Sequence, residues 1–304
     1  MRYALRGKVS RRSVSCVDTV INAAATVKHY GSYSYFHSVN VETVTRLIDF
    51  CVSSDAKLIH ISTESVSGND SIENFIRYDN VRSKVFYASD LYIRQNLENV
   101  YALSKFEAEI AVLKAMNKGL RANIMRMGNL TNRYSDGVFQ INYETNAFLK
   151  RFKAFLGLGM IPDYLLGRYV EFTPIDEAAH AVMTITRHFS NEQTVFHIEN
   201  YKRLLLDNLI VILKKLGYEV AIMEGAVFTK ALLQTIKQKE IKYIFEAFIN
   251  DMDTNNRLAF SNLHIDTDFT VQYLKSLGFE WSKIDLEYLK KYMEYFKELG
   301  YWGV

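Results

Sequence analysis

Hydrophobic positions in the first two thirds of the chain follow two different periods. Short runs rich in apolar and β-branched residues occur at 17–25, 56–63, 121–127, 169–176 and 194–200. Between these runs, apolar residues recur at helical spacing, over 36–52, from about 101 to 118 and over 176–189. Strands that alternate with amphipathic helices are typical of βα units and a mainly parallel sheet.

Helical patterns dominate the last third of the chain. They lie at 203–216, 226–239, 241–250, 268–277 and 283–299. We therefore expect an α/β domain at 1–200 and a mostly helical subdomain at 201–304. The aromatic residues of the subdomain, Trp281 and Tyr288 among them, are expected in its core or at its interface with the sheet domain.

The composition is that of a folded globular protein. The chain has 304 residues, of which 49% are hydrophobic, and a net charge of +3 that gives no indication of nucleic-acid binding. Cys16 and Cys51 lack the spacing of a metal site, so we expect no metal and two reduced cysteines, as in a cytoplasmic protein. No apolar run is long enough to span a bilayer, and no signal peptide follows the basic N-terminus.

One pair of residues has a spacing that suggests catalysis. Tyr101 is the only one of the 20 tyrosines with a lysine, Lys105, four residues later. A phenol, with a pKa of about 10, is a weak acid at neutral pH, and an ammonium one helical turn away would lower that pKa. The alternative is two polar residues on a solvated helix face.

Hydroxyl groups lie at the end of the strand predicted at 56–63. Ligands of open α/β sheets bind at the carboxyl ends of the strands, where a hydroxyl can hold a reacting oxygen beside the phenol. Thr63 is the preferred candidate and Ser62 is its competitor. Thr63 could also serve only to bond the local backbone.

This order of strand, hydroxyl, tyrosine and lysine resembles the extended branch of the short-chain dehydrogenases and reductases. The segment "NAAA" at 22–25 resembles the small-residue segment after the fourth strand of that superfamily, where the backbone passes against the dinucleotide. Asn40 resembles the helix asparagine that helps to position the lysine. A helix-start cap or a surface polar residue is the alternative for Asn40.

A longer segment narrows the resemblance. "RMGNLTNRYSDGVFQINYETNAF", at 126–148, resembles the thioester reductase domains of nonribosomal peptide synthetases, carboxylic acid reductases and aminoadipate reductases. The resemblance covers 17–304 and implies a Rossmann-like, mainly parallel sheet. The residues that it places at the cofactor are Asn22, Ala23, Ala24, Ala25, Asn40, Ser62, Tyr101, Lys105, Gly128, Asn129 and Leu130.

The activity implied by this resemblance is the reduction of a carrier-bound acyl or peptidyl thioester. NADPH would deliver hydride to the carbonyl, and the product would leave the phosphopantetheine arm as an aldehyde or an alcohol. Tyr101 would donate a proton, Thr63 a hydrogen bond, and Lys105 would bind the nicotinamide ribose. The partner would be an acyl or peptidyl carrier domain. A lid is expected within 134–165.

No Gly-rich phosphate-binding motif occurs anywhere in the sequence, although a dinucleotide-binding fold normally opens with one. "VDTVINAAA" corresponds to the family's fourth strand, so we expect an N-terminally truncated sheet, weak NADPH binding by this chain alone, and an exposed sheet edge that favours self-association. A catalytically inactive remnant that still docks a carrier domain is therefore one alternative. An NAD-dependent sugar-nucleotide epimerase or dehydratase is another.

Overall fold

The computed structural model describes residues 17–27, 31–68, 85–93, 95–97, 99–189, 193–237, 245, 248, 252, 257–258 and 263–302. Cys16 lies outside these residues, as does most of the helix predicted at 241–250. The strands in the described part are β1 (Thr19–Asn22), β2 (Lys57–Thr63), β3 (Val85–Phe86), β4 (Ala122–Met127), β5 (Leu130–Thr131), β6 (Met160–Pro162), β7 (Tyr169–Val170), β8 (Thr173–Pro174), β9 (Gln193–Ile198), β10 (Leu204–Leu205), β11 (Ala221–Met223) and β12 (His264–Ile265).

The α-helices in the same residues are α1 (Tyr33–Phe36), α2 (Thr43–Ser54), α3 (Val100–Met116), α4 (Ala147–Leu158), α5 (Ile175–His188), α6 (Leu206–Lys215), α7 (Gly225–Thr235), α8 (Asp268–Ser276) and α9 (Leu286–Glu298). A π-helical turn, His37–Glu42, joins α1 to α2. None of the described helices is long and apolar enough to cross a membrane.

The main sheet is parallel. Among the described residues it has the strand order β1-β2-β4-β9, with Ile59 opposite both Ile21 and Asn123. The strands predicted at 56–63, 121–127 and 194–200 are confirmed as β2, β4 and β9, and the strand predicted at 17–25 is shorter, as β1. In the described part β1 pairs only with β2, and Ile21 is 41% exposed.

The strand predicted at 169–176 is wrong in extent and in position. Only β7 and β8 form there; β7 pairs with β10 and β8 with β5, outside the main sheet. Between them Glu171 is buried and its carboxylate accepts a hydrogen bond from the backbone of Asn129. Residues 171 and 172 lie outside any strand and helix α5 begins at Ile175, so no continuous strand forms over 169–176.

Both faces of the sheet are covered, as expected for parallel strands. Successive β2 residues point to opposite sides: Leu58 packs with Val44 of α2 and Val112 of α3, whereas Ile59 packs with the opposite layer. That second layer comes from α5 and the region of α8, through Ile185 and Trp281 among others. The mainly parallel, Rossmann-like sheet predicted from the sequence is confirmed.

A second core, rich in aromatic residues, lies away from the sheet. It combines residues between 139 and 172 with residues between 204 and 296, including Phe152 of α4, Leu209 of α6 and Tyr292 of α9. Phe152 and Tyr292 meet with ring centroids 5.5 Å apart. The helical core therefore draws on segments before and after residue 200, and the domain boundary placed there stays a prediction.

Candidate functional site

Tyr101 lies at the start of α3, directly above the carboxyl end of β2. The helix begins there because the side chain of Asn99 caps it, accepting hydrogen bonds from the backbone of Tyr101 at 2.9 Å and Ala102 at 3.2 Å. The phenol is hydrogen-bonded to the side chain of Thr63, the last residue of β2. A phenol and a hydroxyl are thus brought together at the strand end, where the sequence predicted them.

The structure distinguishes between the two candidate hydroxyls. Because side chains alternate along a strand, Ser62 points away from Thr63; its hydroxyl is buried and has no partner among the described residues. Thr63 contacts Tyr101 and also accepts a hydrogen bond from the backbone NH of Ser65 at 3.2 Å. Thr63 is therefore the hydroxyl that contacts the phenol, and it bonds the local backbone as well; its catalytic role stays a prediction.

Lys105 lies one turn after Tyr101 and is almost fully buried. Its Nζ donates a hydrogen bond to the backbone oxygen of Ile61 at 2.6 Å, which anchors the ammonium beside β2. Burial lowers the pKa of Lys105 to about 8, and the carboxylate of Glu109 partly opposes that effect. The lysine side chain is thus mostly charged at neutral pH, although its pKa lies close to physiological pH.

The expected effect of Lys105 on the phenol is not seen. Burial raises the pKa of Tyr101 above its usual range, and the hydrogen bond with Thr63 opposes that shift only in part. The ammonium is bonded to the backbone of Ile61, and desolvation of the buried phenolate outweighs any attraction to it. The arrangement favours a neutral phenol, which can donate a proton but is a poor base.

Asn40 connects the predicted cofactor segment to α3. It lies in the π-helical turn, 1% exposed, and its amide exchanges hydrogen bonds with the backbone of Thr26, at 2.8 and 3.1 Å, and donates to Ser104 Oγ at 2.9 Å. Ser104 in turn donates to the backbone oxygen of Tyr101 at 2.9 Å. The cap and surface alternatives for Asn40 are thus excluded.

The segment after β1 is accessible to solvent. Ala23 and Ala24 are exposed and Ala25 is partly exposed, as a backbone that approaches a ligand requires. Asn22 is buried: its Oδ1 accepts from the backbone of Ala24 at 3.3 Å, and its Nδ2 lies 3.4 Å from Nδ1 of His60. Burial, followed by the charge of Lys105, lowers the pKa of His60 well below its usual range, so the imidazole is neutral.

The segment that follows β4 needs a residue without a side chain. A Cβ at Gly128 would lie 2.7 Å from Cβ of Glu199 and 3.1 Å from a carboxylate oxygen of Glu171. The backbone NH of Asn129 donates to Glu171 at 2.6 Å, and Leu130 begins β5. Gly128 to Leu130 thus lie at the carboxyl end of β4, on the same edge of the sheet as Thr63.

A buried group of three carboxylates at this edge was not predicted from the sequence. Glu64, Glu171 and Glu199 interact with one another, and Arg203 is ion-paired with Glu199. Burial, followed by the charge of Glu199, raises the pKa of Glu171 to about 8, and the pKa of Glu64 is raised well above its usual range. The only signal in the sequence was that Glu64 directly follows the strand predicted at 56–63 and that Glu199 stands near the end of the strand predicted at 194–200.

A second buried ion pair fixes α3 against the sheet. Arg126 of β4 donates to both carboxylate oxygens of Glu109, and both side chains are at most 1% exposed. Arg126 also donates to the backbone oxygen of Asp90 at 2.8 Å and lies over the ring of Phe86. Because Glu109 follows Lys105 by one turn, this pair holds the helix that carries the candidate catalytic residues.

Comparison with known proteins identifies the family of the chain. The model of an NAD-binding family described as male sterility protein matches residues 2–182, more than half of the chain. The chain belongs to this family. The male sterility protein family is a family of NAD(P)-binding reductases of the extended short-chain dehydrogenase/reductase type.

Sequence relatives of this member of the male sterility protein family include a much longer protein. The L-2-aminoadipate reductase of Saccharomyces cerevisiae is 24% identical over 307 aligned residues, which cover 94% of this chain and 21% of that protein. The chain thus spans about a fifth of the length of this curated relative.

Solved structures resemble the chain over almost its whole length. A thiolation-reductase di-domain from an archaeal nonribosomal peptide synthetase is 34% identical, with a TM-score of 0.82, covering 96% of this chain and 60% of that one. The UDP-glucuronic acid 4-epimerase of Bacillus cereus, solved in complex with NAD, is 16% identical, with a TM-score of 0.60. The match covers 95% of this chain and 77% of the epimerase chain. The latter likeness is one of fold alone, and the reductase domain is the better match.

Proposed function

We propose that this chain is the catalytic part of an NADPH-dependent thioester reductase, which releases a carrier-bound acyl or peptidyl group as an aldehyde or an alcohol. The hydrogen bond between Tyr101 and Thr63 at the carboxyl end of β2, with Lys105 one turn away, is the observation that carries the proposal. Membership in an NAD(P)-binding reductase family supports it.

The residues fit the nicotinamide half of the cofactor. Lys105 offers an ammonium at the strand ends, the exposed backbone of Ala23 and Ala24 leaves room for a close approach, and Gly128 lacks the Cβ that would crowd the edge. These groups, together with Asn22, Ala25, Asn40, Ser62, Asn129 and Leu130, are the proposed cofactor site. NADPH, when bound there, supplies the hydride.

In the proposed reaction, the thioester carbonyl carbon gains a hydride and its oxygen gains a proton from the Tyr101 phenol. Thr63 donates a hydrogen bond to the same oxygen as negative charge develops on it, which stabilises the transition state more than the ground state. The resulting hemithioacetal breaks its carbon–sulfur bond and loses its hydroxyl proton, and the leaving thiolate takes up a proton, which yields an aldehyde and the free thiol of the phosphopantetheine arm. A second hydride transfer would give the alcohol.

The raised pKa of Tyr101 suits this role. A donor must be protonated before the transfer, and burial keeps the phenol neutral at physiological pH. Lys105 is positively charged below about pH 8, so it can bind the ribose hydroxyls. The partner in this proposal is an acyl or peptidyl carrier domain, with the helical part of the chain as its docking surface.

The experiment supplies S-octanoyl pantetheine and NADPH at concentrations up to the millimolar range, so that a weakly bound cofactor is still detected. The amount of NADPH oxidised and the amount of aldehyde formed are measured together. The two amounts should be equal until any alcohol forms. Tyr101→Phe should lower the rate by about 100-fold or more. The matched control Tyr35→Phe, at a residue that is 54% exposed, should keep the wild-type rate.

Two outcomes would contradict the proposal. One is the absence of NADPH consumption with both free and carrier-bound thioesters, which would favour the inactive, carrier-docking alternative. The other is an unchanged rate in Tyr101→Phe, which would place the proton donor elsewhere.

A further inference from the structure

Two acids meet one residue beyond the last row of the main sheet. That row consists of three paired residues, Thr63, Met127 and Ile198. The residues that follow them are Glu64, Gly128 and Glu199. A Cβ at Gly128 would lie 2.7 Å from Cβ of Glu199, so glycine leaves room for the glutamate beside it. The side chains of Glu64 and Glu199 are hydrogen-bonded to each other.

This hydrogen bond requires a proton on one of the two acids. An ionised carboxylate only accepts hydrogen bonds, so two carboxylates cannot bond to each other. Arg203 is ion-paired with Glu199, which stabilises the ionised form of that acid. Burial, followed by the negative charge of Glu199, raises the pKa of Glu64 well above its usual range. The proton of the pair therefore lies on Glu64.

One oxygen of Glu64 is not engaged by the protein. Its Oε1 is shielded from solvent and makes no hydrogen bond among the described residues, which is costly for a polar atom. Glu171, the third acid of the group, accepts from the backbone NH of Asn129 with one oxygen and is bonded to Thr173 through the other. Glu64 is thus the protonated acid that can still engage a further group.

The position of Glu64 places it next to the proposed chemistry. It directly follows Thr63, whose hydroxyl is bonded to the phenol of Tyr101, and consecutive Cα atoms are only about 3.8 Å apart. In the proposed reaction the carbonyl oxygen lies between these two hydroxyls, and the sulfur is bonded to the same carbon. Because Tyr101 gives its proton to the oxygen, the sulfur needs another donor.

We propose that Glu64 is the acid that protonates the leaving sulfur when the hemithioacetal collapses. The inference rests on the proposed function and adds a catalytic residue to it. A half-turn of the carboxyl group exchanges its two oxygens and presents the proton at the unengaged position. Glu199 keeps its ion pair with Arg203 during this turn.

The proton balance of the reaction is then complete. As the carbon–sulfur bond breaks, its electron pair stays on the sulfur, which takes the proton of Glu64. The hydroxyl proton of the hemithioacetal returns to the phenolate of Tyr101 as the aldehyde forms. The carboxylate of Glu64 regains a proton from water. Each reduction therefore consumes one proton, as the conversion of a thioester to an aldehyde and a thiol by NADPH requires.

The first test varies the acidity of the leaving thiol. The wild type and Glu64→Gln reduce the S-octanoyl thioesters of pantetheine and of thiophenol with NADPH. The variant should be about 100-fold slower with the pantetheine thioester, because its weakly acidic thiol leaves poorly without a proton donor. With the thiophenol thioester, whose thiolate is stable in water, its rate should stay within about twofold of the wild type. An equal loss with both thioesters, or no loss with either, would overturn the inference.

Two further variants separate proton donation from a structural effect. Glu64→Asp keeps an acid on a shorter side chain and should recover part of the rate with the pantetheine thioester. Glu298→Gln removes a carboxylate at an exposed position on α9 and should match the wild type with both thioesters. A Glu64→Asp variant as slow as Glu64→Gln with both thiols would count against proton donation.

Infrared spectroscopy tests the proton on Glu64 without turnover. At neutral pH, without NADPH or thioester, the wild type should show the carbonyl band of a protonated carboxylic acid. Glu64→Gln should lose part of this band and Glu298→Gln none. An unchanged band in Glu64→Gln would show that Glu64 is ionised and would overturn the inference.

The two proposals fail in different ways. A wild type that shows the acid band but reduces no thioester contradicts the proposed function. A wild type that reduces thioesters, with Glu64→Gln slowed equally for both thiols, contradicts only the role of Glu64.

Discussion

The amide of Asn40 donates a hydrogen bond to the hydroxyl of Ser104 at 2.9 Å, although 64 residues separate the two in the sequence. The same amide is bonded to the backbone of Thr26. One buried side chain therefore joins the segment after β1 to the helix that carries Tyr101 and Lys105. The distance between the two halves of the proposed site depends on it.

Replacing Asn40 by alanine should destabilise the fold. The variant leaves the backbone groups of Thr26 and the hydroxyl of Ser104 without their buried partner, which costs about 1–3 kcal/mol for each group left unsatisfied. Urea unfolding measures the loss. Asn208→Ala, at an exposed position on α6, is the control and should change the free energy of unfolding by less than about 0.5 kcal/mol. Equal effects of the two variants would show that the hydrogen bonds of Asn40 are unimportant.

Thr63 should act through its hydroxyl and not through its shape. Thr63→Val keeps the volume but removes the donor, and we expect the rate of thioester reduction to fall by about 100-fold, as when one oxyanion donor is lost. Thr63→Ser should restore most of the activity. Thr45→Val, on the exposed side of α2, controls for the loss of a threonine hydroxyl. An active Thr63→Val enzyme would remove Thr63 from the mechanism.

The carboxylate group of Glu64, Glu171 and Glu199 should make stability depend on pH. The pKa of Glu171 is raised from 4.5 to about 8, so the folded state favours the protonated acid. The contribution of Glu171 to the free energy of unfolding is complete below about pH 4.5 and is lost as the pH rises through about 8. The free energy of unfolding of the wild type should therefore fall between pH 6.5 and 8, and Glu171→Gln should reduce that fall.

The chosen pH range separates this effect from other titrations. The pKa of His197 is lowered to about 4, so its contribution changes below pH 6.5, and that of Lys105, lowered from 10.5 to about 8, changes mostly above pH 8. Glu280 is the control, because Tyr201 and Lys202 lower its pKa to about 2. Glu280→Gln should leave the slope unchanged. An identical slope in Glu171→Gln and the wild type would refute the prediction.

Breaking the buried pair of Arg126 and Glu109 should cost far more than breaking a similar pair at the surface. Arg126→Met leaves the carboxylate of Glu109 buried without its guanidinium, which costs about 3–5 kcal/mol. Arg133→Met removes the exposed pair with Asp136, which should cost about 0–1 kcal/mol. Thermal and urea unfolding of both variants measure the difference. Comparable losses would contradict the structural role assigned to the buried pair.

Much of the site could be predicted from the sequence because its residues follow local rules. A strand run ending in Thr63, and a tyrosine and lysine four residues apart on a helix, are patterns that one segment expresses by itself. The parallel sheet followed from the alternation of strand and helix periods. The lid expected within 134–165 and the boundary at residue 200 remain predictions.

Other features depended on contacts between distant segments. The strand expected at 169–176 is interrupted at Glu171, whose buried carboxylate accepts a hydrogen bond from the backbone of Asn129, and no local pattern reports such a distant partner. The pKa of Tyr101 is raised, not lowered, because burial outweighs the expected effect of Lys105, and burial is a property of the folded chain. The sequence by itself determined which residue types stand at the strand ends; the tertiary structure alone decided which of them meet and which are desolvated.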